Sequence, residues 1–351
     1  MKIVFTPWYQ NNPYQRLLAE ALEKTGHEVI PCSPESPFSL VRFVLKNGKP
    51  DIIHLHWLHP FLIRKSLAGT IIASALFVLE IAILKISGVK IVWTVHNIVS
   101  HKKVHSGVET GAHKILLRLY DHVFHLSRAS LTIMKEMNLV SGKMMDKHHI
   151  VPHGNYMNCY KNEIGKTAAR AALGVGQNAL VLLCFGTIKA YKGVETLVEA
   201  LQEIPDQNIT LIVAGHPEDK HVEDQILDYC NQDKRIKPFL HFIPDDDIQV
   251  FMNAADIVVL PYSGILNSGV AVLAMSFGKP VIAPNAGSLP EMIDNRGGVF
   301  FDPGDKGSLV SAIKMSVTMD LESMGRYNYE QAGRLDRNSI AGMTAAIYVM
   351  K

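Results

Sequence analysis

The sequence predicts two doubly wound α/β domains in tandem, and three observations carry that prediction. Short β-branched runs alternate with longer helical patterns along all 351 residues, the arrangement of a parallel sheet with helices on both faces. The rhythm restarts after a polar, glycine-broken stretch between His153 and Gly174. The charge balance also changes sign: residues 1–160 carry 18 Lys+Arg and 10 Asp+Glu, a balance of +8, and the remainder 17 and 23, a balance of −6. The formal net charge of +2 averages a basic half with an acidic half, and 13 of the 16 histidines fall in the basic one. A hydrophobic content of 48% supports a core in each half and excludes a disordered, fibrous or small disulfide-stapled chain.

In the first half, strands are expected at Lys2–Phe5, Glu28–Pro31, Ile52–His56, Lys90–Val95, His122–Leu126 and His149–Val151. The first apolar run is cut off at once by Thr6 and Pro7, too early for a signal-peptide core. A helix is expected over Tyr14–Thr25, closed by Gly26. The most lipophilic stretch, Ser66 to Leu79, holds fourteen residues without a charge, short of the roughly 20 that span a bilayer. A buried or interfacial helix is expected there. The second half offers strands at Leu180–Phe185, Ile209–Ala214, Leu240–Phe242, Ile257–Leu260, Pro280–Ala283 and Gly298–Phe301. Residues 1–157 then form the first domain, 158–333 the second, and 334–351 a closing helix. The four cysteines stand far apart without paired spacing, so neither a disulfide framework nor a zinc ribbon is expected.

Ligands of open α/β sheets bind beyond the carboxyl ends of the strands, so the segments that follow each strand matter most. Those segments carry a resemblance. Thr25-Gly-His-Glu-Val29, Pro50-Asp-Ile-Ile-His-Leu-His56, Val92-Trp-Thr-Val-His-Asn97 and Ile150-Val-Pro-His-Gly154 in the first half resemble the motifs of glycosyltransferases of the GT-B fold. The second half adds Phe185-Gly-Thr-Ile-Lys-Ala-Tyr-Lys-Gly193, Ala255-Asp-Ile-Val-Val-Leu-Pro261, Ala274-Met-Ser-Phe-Gly-Lys-Pro-Val-Ile-Ala283 and Gly287-Ser-Leu-Pro-Glu291. In this register the superfamily's Glu-x7-Glu pair falls on Ile265 and Leu273, both apolar, and Thr187 stands where an arginine is usual. With Asn11-Asn12-Pro13-Tyr14 and Asn267-Ser268-Gly269, the chain most resembles bacterial exopolysaccharide transferases, including membrane-associated β-mannosyltransferases. The resemblance implies two Rossmann-like domains facing across a cleft, with the closing helix returning to the first. It also implies a hexosyltransferase acting with inversion, without a metal or other cofactor.

A nucleotide-sugar donor leaves as a diphosphate, so its site needs fixed positive charge and amide dipoles. Lys189 and Lys192, on a loop between strand and helix with Gly186, meet that need, and Asn267, Ser268, Gly269 and Val270 open a helix whose N–H groups suit a phosphate. His216 and Glu291, each just past a strand, complete the expected donor set, Glu291 as a substitute ribose contact for the lost pair. Inversion needs a base for the acceptor hydroxyl. His96, the sugar-contacting histidine by register, is the candidate, with Asn97 beside it. Asn11, Asn12, Tyr14, His56 and His153 are assigned to the acceptor. His54 and His56 point to one side of their strand and with His59 mimic a metal site, but no carboxylate or cysteine completes it. Asp245-Asp246-Asp247 follows Pro244 and reads as a helix opening rather than an ion site.

Arg64 and Lys65 before the lipophilic stretch, Lys85 and Lys90 after it, and His101-Lys102-Lys103 nearby suit an anionic membrane surface. The expected partners are therefore a nucleotide-sugar donor, a lipid-linked saccharide acceptor and the inner face of the cytoplasmic membrane, with no nucleic acid. Two alternatives stand beside this reading. A nucleotide-sugar epimerase of the same fold would need further acid/base carboxylates, and a degenerate donor-binding subunit is compatible with the lost glutamates.

Overall fold

The computed structural model describes residues 1–10, 12–33, 36–100 and 104–350. Asn11, His101, Lys102 and Lys103, named above as acceptor or membrane candidates, lie outside the described residues. The chain divides into one unit of Met1–Gly154 with Asp336–Lys351 and a second of Asn155–Leu335.

The first unit is a six-stranded sheet of β1 (Lys2–Thr6), β2 (Glu28–Pro31), β3 (Ile52–Leu55), β4 (Lys90–Val95), β5 (His122–His125) and β6 (His148–Ile150). Every pairing is parallel, in the order β2-β1-β3-β4-β5-β6. The order reverses direction between β1 and β3, so the crevice where such sheets bind ligands opens there. The Pro13–Lys24 and Arg337–Tyr348 helices pack side by side, and Leu18, Leu22, Ile340 and Tyr348 close over Ile3, Phe5, Val92 and Phe124 of the sheet. The Pro13–Lys24 helix ends before Gly26, whose φ of +83° only a residue without Cβ adopts freely.

The uncharged stretch belongs to a longer helix, Leu67–Ile86, of 20 residues. Two charges extend it beyond the expected run because both are satisfied. Buried Glu80 accepts the Leu40 and Val41 N–H groups at 2.7 and 3.1 Å, capping the Ser39–Asn47 helix, whose own N-cap residue, Phe38, makes no side-chain cap. Lys85 pairs with Asp121. By length and composition this helix is apolar enough to cross a membrane. Thr70, Ala73, Ser74, Phe77, Glu80, Ile81 and Leu84 are buried in the unit, while Leu67, Ile71, Ile72, Leu79, Ile83 and Ile86 form an exposed apolar stripe.

The second unit holds β7 (Leu180–Phe185), β8 (Ile209–Ala214), β9 (Ile236–Phe239), β10 (Ile257–Val259), β11 (Val281–Pro284) and β12 (Gly298–Phe301). They are parallel in the order β12-β11-β10-β7-β8-β9, with the reversal between β7 and β10. One expected strand is corrected: β9 is Ile236–Phe239, not Leu240–Phe242. Pro238 argues against a strand in the sequence, yet β9 is the sheet edge, where a missing N–H costs no ladder bond. Buried Arg170 locks the Lys166–Ala172 helix to the sheet by donating to Ala254 O, Gln177 O and Asp256 Oδ2, the last at 2.6 Å. Asp256 also accepts the Val181 N–H, tying the starts of β7 and β10 together.

Candidate functional site

In the first unit the reversal point is lined with aromatic and imidazole rings. Gln15 anchors the loop after β1, donating to Pro7 O and accepting from Tyr9 N. Asn12 caps the following helix, its Oδ1 accepting the Tyr14 N–H at 3.0 Å. The cap turns Tyr14 toward the ends of β3 and β4, where its ring meets His96 edge-on at 4.8 Å and His153 at 4.8 Å. His56 Nδ1 lies 3.2 Å from His96 Nε2, and His56 Nε2 has no hydrogen-bond partner among the described residues. Trp57 stacks on His96 at 4.1 Å.

Burial, followed by the neighbouring histidines, holds His56 and His96 well below the ordinary imidazole value, so both are neutral at pH 7. Burial likewise brings His153 to about 4. His153 Nδ1 donates to Gly154 O at 2.7 Å, which leaves Nε2 its lone pair. Tyr14, His56, His96 and His153 are thus one cluster. Asn97, next in the chain to His96, lines a small recess with Trp57, His59, Ser100, Glu109 and His113. Both carboxylate oxygens of Glu109 accept the Ser100 N–H, at 3.1 and 3.0 Å, and burial raises its proton affinity. Glu109 carries no signal in the sequence, since it falls inside the Ser106–Leu119 helix and not at a strand end.

In the second unit the reversal point carries the glycine loop. Gly186 has φ +95°, and a Cβ there would lie 3.2 Å from Lys192 Nζ and 3.4 Å from Val270 Cγ2. Lys192 and Val270 therefore converge on one backbone position. The loop fits because two further glycines permit close approach: a Cβ at Gly193 would stand 2.0 Å from Pro261 O, and one at Gly215 2.1 Å from Gly186 O. Burial lowers Lys192 to about 8, with Lys189 adding to the shift.

The Gly269–Ser276 helix starts at the same point, its N-cap Ser268 accepting the Ala271 N–H at 3.2 Å. The ring of buried Tyr262 lies 5.8 Å from Lys192 Nζ. His216 turns an exposed side chain outward and contributes its carbonyl to Ile188 N at 2.8 Å. Glu291 is exposed on the Leu289–Met292 turn, which is stitched to the donor loop by Ser288 N to Leu266 O at 2.9 Å. Of the two apolar replacements, Leu273 is buried at 6% exposure in a helix packed on all sides. Asp245–Asp247 form an exposed 3-10 turn, with Asp246 paired to Lys161 at 3.0 Å. No grouping of His, Cys, Asp or Glu among the described residues has the proximity to hold a metal ion.

Sequence comparison matches residues 165–331 to the family described as glycosyl transferases group 1. The GDP-mannose:glycolipid 4-beta-D-mannosyltransferase of Xanthomonas campestris pv. campestris is 29% identical over 279 residues, covering 79% of this chain and 71% of that protein. Among solved structures, Anabaena HepE in complex with UDP superposes with a TM-score of 0.76 at 20% identity, covering 99% of each chain. The sucrose-phosphate synthase of Thermosynechococcus elongatus gives 0.78 at 20% identity, covering 99% of this chain and 98% of that one. The matched segment, residues 165–331, holds the glycine loop, Lys192, the Ser268 cap and Glu291, and the chain has the GT-B fold of these solved structures.

Proposed function

We propose that this glycosyltransferase passes a hexose from a nucleotide diphosphate sugar, with GDP-mannose the first donor to test and UDP-hexoses next, to a lipid-linked saccharide, with inversion. The observation that carries the reading is the convergence of Lys192 and the Ser268 helix on Gly186. A half-buried cation beside the amide dipoles of a helix start stabilises charge that grows on a departing diphosphate. The name of the Xanthomonas relative, a GDP-mannose:glycolipid transferase, supports this donor and acceptor class.

In this reading the second unit holds the donor through Gly186, Lys189, Lys192, His216, Asn267, Ser268, Gly269 and Val270. Glu291 takes the ribose contact that the apolar Ile265 and Leu273 cannot make. The first unit receives the acceptor against Asn12, Tyr14, His56 and His153, and Asn11, which precedes them in sequence, is assigned to the same role. The acceptor hydroxyl loses its proton to the neutral His96 and His56 pair, and Asn97 orients the sugar. Neutral imidazoles act as proton acceptors at pH 7 without first losing a proton of their own.

The exposed apolar stripe of the Leu67–Ile86 helix, flanked by Arg64 and Lys65, is the surface assigned to the inner face of the cytoplasmic membrane. Its composition, apolar along its length with basic residues at the entrance, suits an anionic lipid interface.

The test is a panel of GDP- and UDP-sugars, incubated with and without a bacterial membrane glycolipid extract. Nucleotide release and glycolipid mass are followed alongside thermal stability. Release of GDP or UDP with a hexose added to lipid is the expected result. Binding without turnover in either arm would favour a donor-binding subunit. A change in the donor's own sugar would favour an epimerase. No stabilisation by any donor would overturn the reading.

A further inference from the structure

The segment that leaves β4 carries His96 and Asn97 and is held at both ends. At its start the His96 N–H donates to Thr94 O at 3.0 Å, and Ile98 is buried at 6% exposure. At its far end the Ser100 N–H donates to both carboxylate oxygens of Glu109, at 3.1 and 3.0 Å. Glu109 is 2% exposed, and Ser100 N is the one donor to it among the described residues. One turn further along the Ser106–Leu119 helix, on the same face, buried His113 lies flat on Trp93 of β4, with ring centres 5.1 Å apart and planes at 15°. Trp93 Nε1 in turn donates to His56 O at 3.1 Å. The helix face made by Glu109 and His113 therefore reaches the backbone beside both histidines of the proposed base, His56 through Trp93 and the residue 96–100 segment directly.

Energetics separate a positioning role from a purely structural one. A buried carboxylate loses the water that solvated it, and one N–H shared between its two oxygens offsets little of that loss. An apolar side chain of similar size in the same place carries no such cost. Glu80 differs, because it satisfies two N–H groups of a helix start, one of them buried; Ser100 is half-buried, and its N–H can turn to water when the carboxylate is removed. Glu109 thus adds little stability, yet it fixes the direction of the Ser100 N–H, which an apolar side chain cannot do. Asn97, Trp57 and Glu109 line one recess, and Trp57 stacks on His96 at 4.1 Å, so a shift of the segment disturbs the imidazole and its stacking partner together. We infer that Glu109 is a positioning residue: it sets the backbone of residues 96–100 and, through it, the placement of His96 and Asn97 against the acceptor hydroxyl. This inference rests on the acceptor assignment proposed above.

The test uses the full chain with GDP-mannose and the bacterial membrane glycolipid extract, alongside hydrogen–deuterium exchange of a peptide containing residues 96–100, read by mass spectrometry. Glu109→Leu is expected to lower kcat about tenfold or more with the GDP-mannose KM held within about twofold, the effect of a displaced proton acceptor on a site whose donor contacts are untouched. The thermal midpoint should stay at or above that of the wild type, and the peptide should exchange faster. Glu109→Ala, which brings no new bulk beside Trp57, should match Glu109→Leu in kcat and exchange. Glu109→Gln keeps an oxygen for the Ser100 N–H and should restore most of the kcat and the slow exchange. Unchanged kcat in the leucine and alanine variants, exchange equal to that of the wild type, or a kcat that falls only in step with the midpoint and is not restored by glutamine overturns the inference. If the wild type transfers no sugar from GDP-mannose or a UDP-hexose, the proposed reaction falls instead, and the exchange of residues 96–100 still decides whether Glu109 holds them.

Discussion

Lys192 Nζ lies 3.2 Å from the point that a Cβ on Gly186 would occupy. The glycine leaves the space into which the cation reaches, and its φ of +95° strains any other residue. Gly186→Ala is therefore expected to weaken GDP-mannose binding at least tenfold in titration calorimetry, because the added methyl displaces Lys192 or Val270. The thermal midpoint should fall by only a few degrees, the effect of about 1 kcal/mol of backbone strain.

Donor binding should depend on pH through the same lysine. Only the charged form attracts a diphosphate, and burial holds Lys192 at about 8. Affinity is expected to be level below that value and to fall up to tenfold per unit above it, with proton uptake on binding near pH 8.5. Calorimetry in buffers of different ionisation heat measures that uptake directly. Because the folded value is below the ordinary 10.5, the stability contribution is present above 10.5 and is lost as pH falls toward 8. Lys192→Met should thus bind no donor yet melt higher than the wild type at pH 7.

Acid should unfold the first unit before the second. Burial holds His54 and His125 at about 3 and His113, His148 and His153 at about 4, all in the first unit. These depressed values contribute stability above the unfolded 6.5 that is lost as pH falls toward 4. At pH 5 each costs on the order of 2 kcal/mol, and together they rival the whole stability of a domain. Trp8, Trp57 and Trp93, the three tryptophans, are also in the first unit, so their fluorescence reports it alone. The fluorescence transition should precede the far-ultraviolet circular dichroism transition on acidification. Coincident transitions would contradict this order.

Glu80 joins two helices through two buried N–H groups. Glu80→Leu strands both donors and is expected to lower stability by about 2–4 kcal/mol in urea unfolding. Glu80→Gln keeps an acceptor oxygen and, since burial already raises the carboxyl group's proton affinity, should cost less than half as much.

The apolar stripe gives a test of membrane attachment that leaves the fold intact. Ile72 and Leu79 are 59% and 51% exposed, so Ile72→Glu/Leu79→Glu removes no core contact. Co-sedimentation with phosphatidylglycerol vesicles should weaken by at least tenfold, each lost insertion being worth about 1.5–3 kcal/mol. Arg64→Gln/Lys65→Gln should weaken it less and more strongly at low salt, at roughly 1 kcal/mol per charge. GDP-mannose affinity should not change in either variant.

Periodicity sufficed for eleven of the twelve strands and for the restart near residue 160, because a parallel strand is a short local run whose apolar character needs no partner to be read. It failed at β9, where Pro238 is acceptable only because that strand is the edge, a property of sheet order. The approach of Lys192 to Gly186 was likewise legible, since a strand, a loop and a helix consecutive in sequence bring the two together. The remainder was decided by tertiary structure. Nothing near residue 54 indicates that Tyr348, almost 300 positions on, shares a hydrogen bond with it, or that Glu80 caps a helix forty residues earlier. Glu109 becomes notable only once folding buries it beside Asn97. Burial sets the charge of the imidazoles and of Lys192, and burial is a sum over neighbours from distant parts of the chain. The sequence by itself determined which residues are present at the strand ends; the three-dimensional packing decided which of them meet and which are neutral, because burial is a sum over distant neighbours.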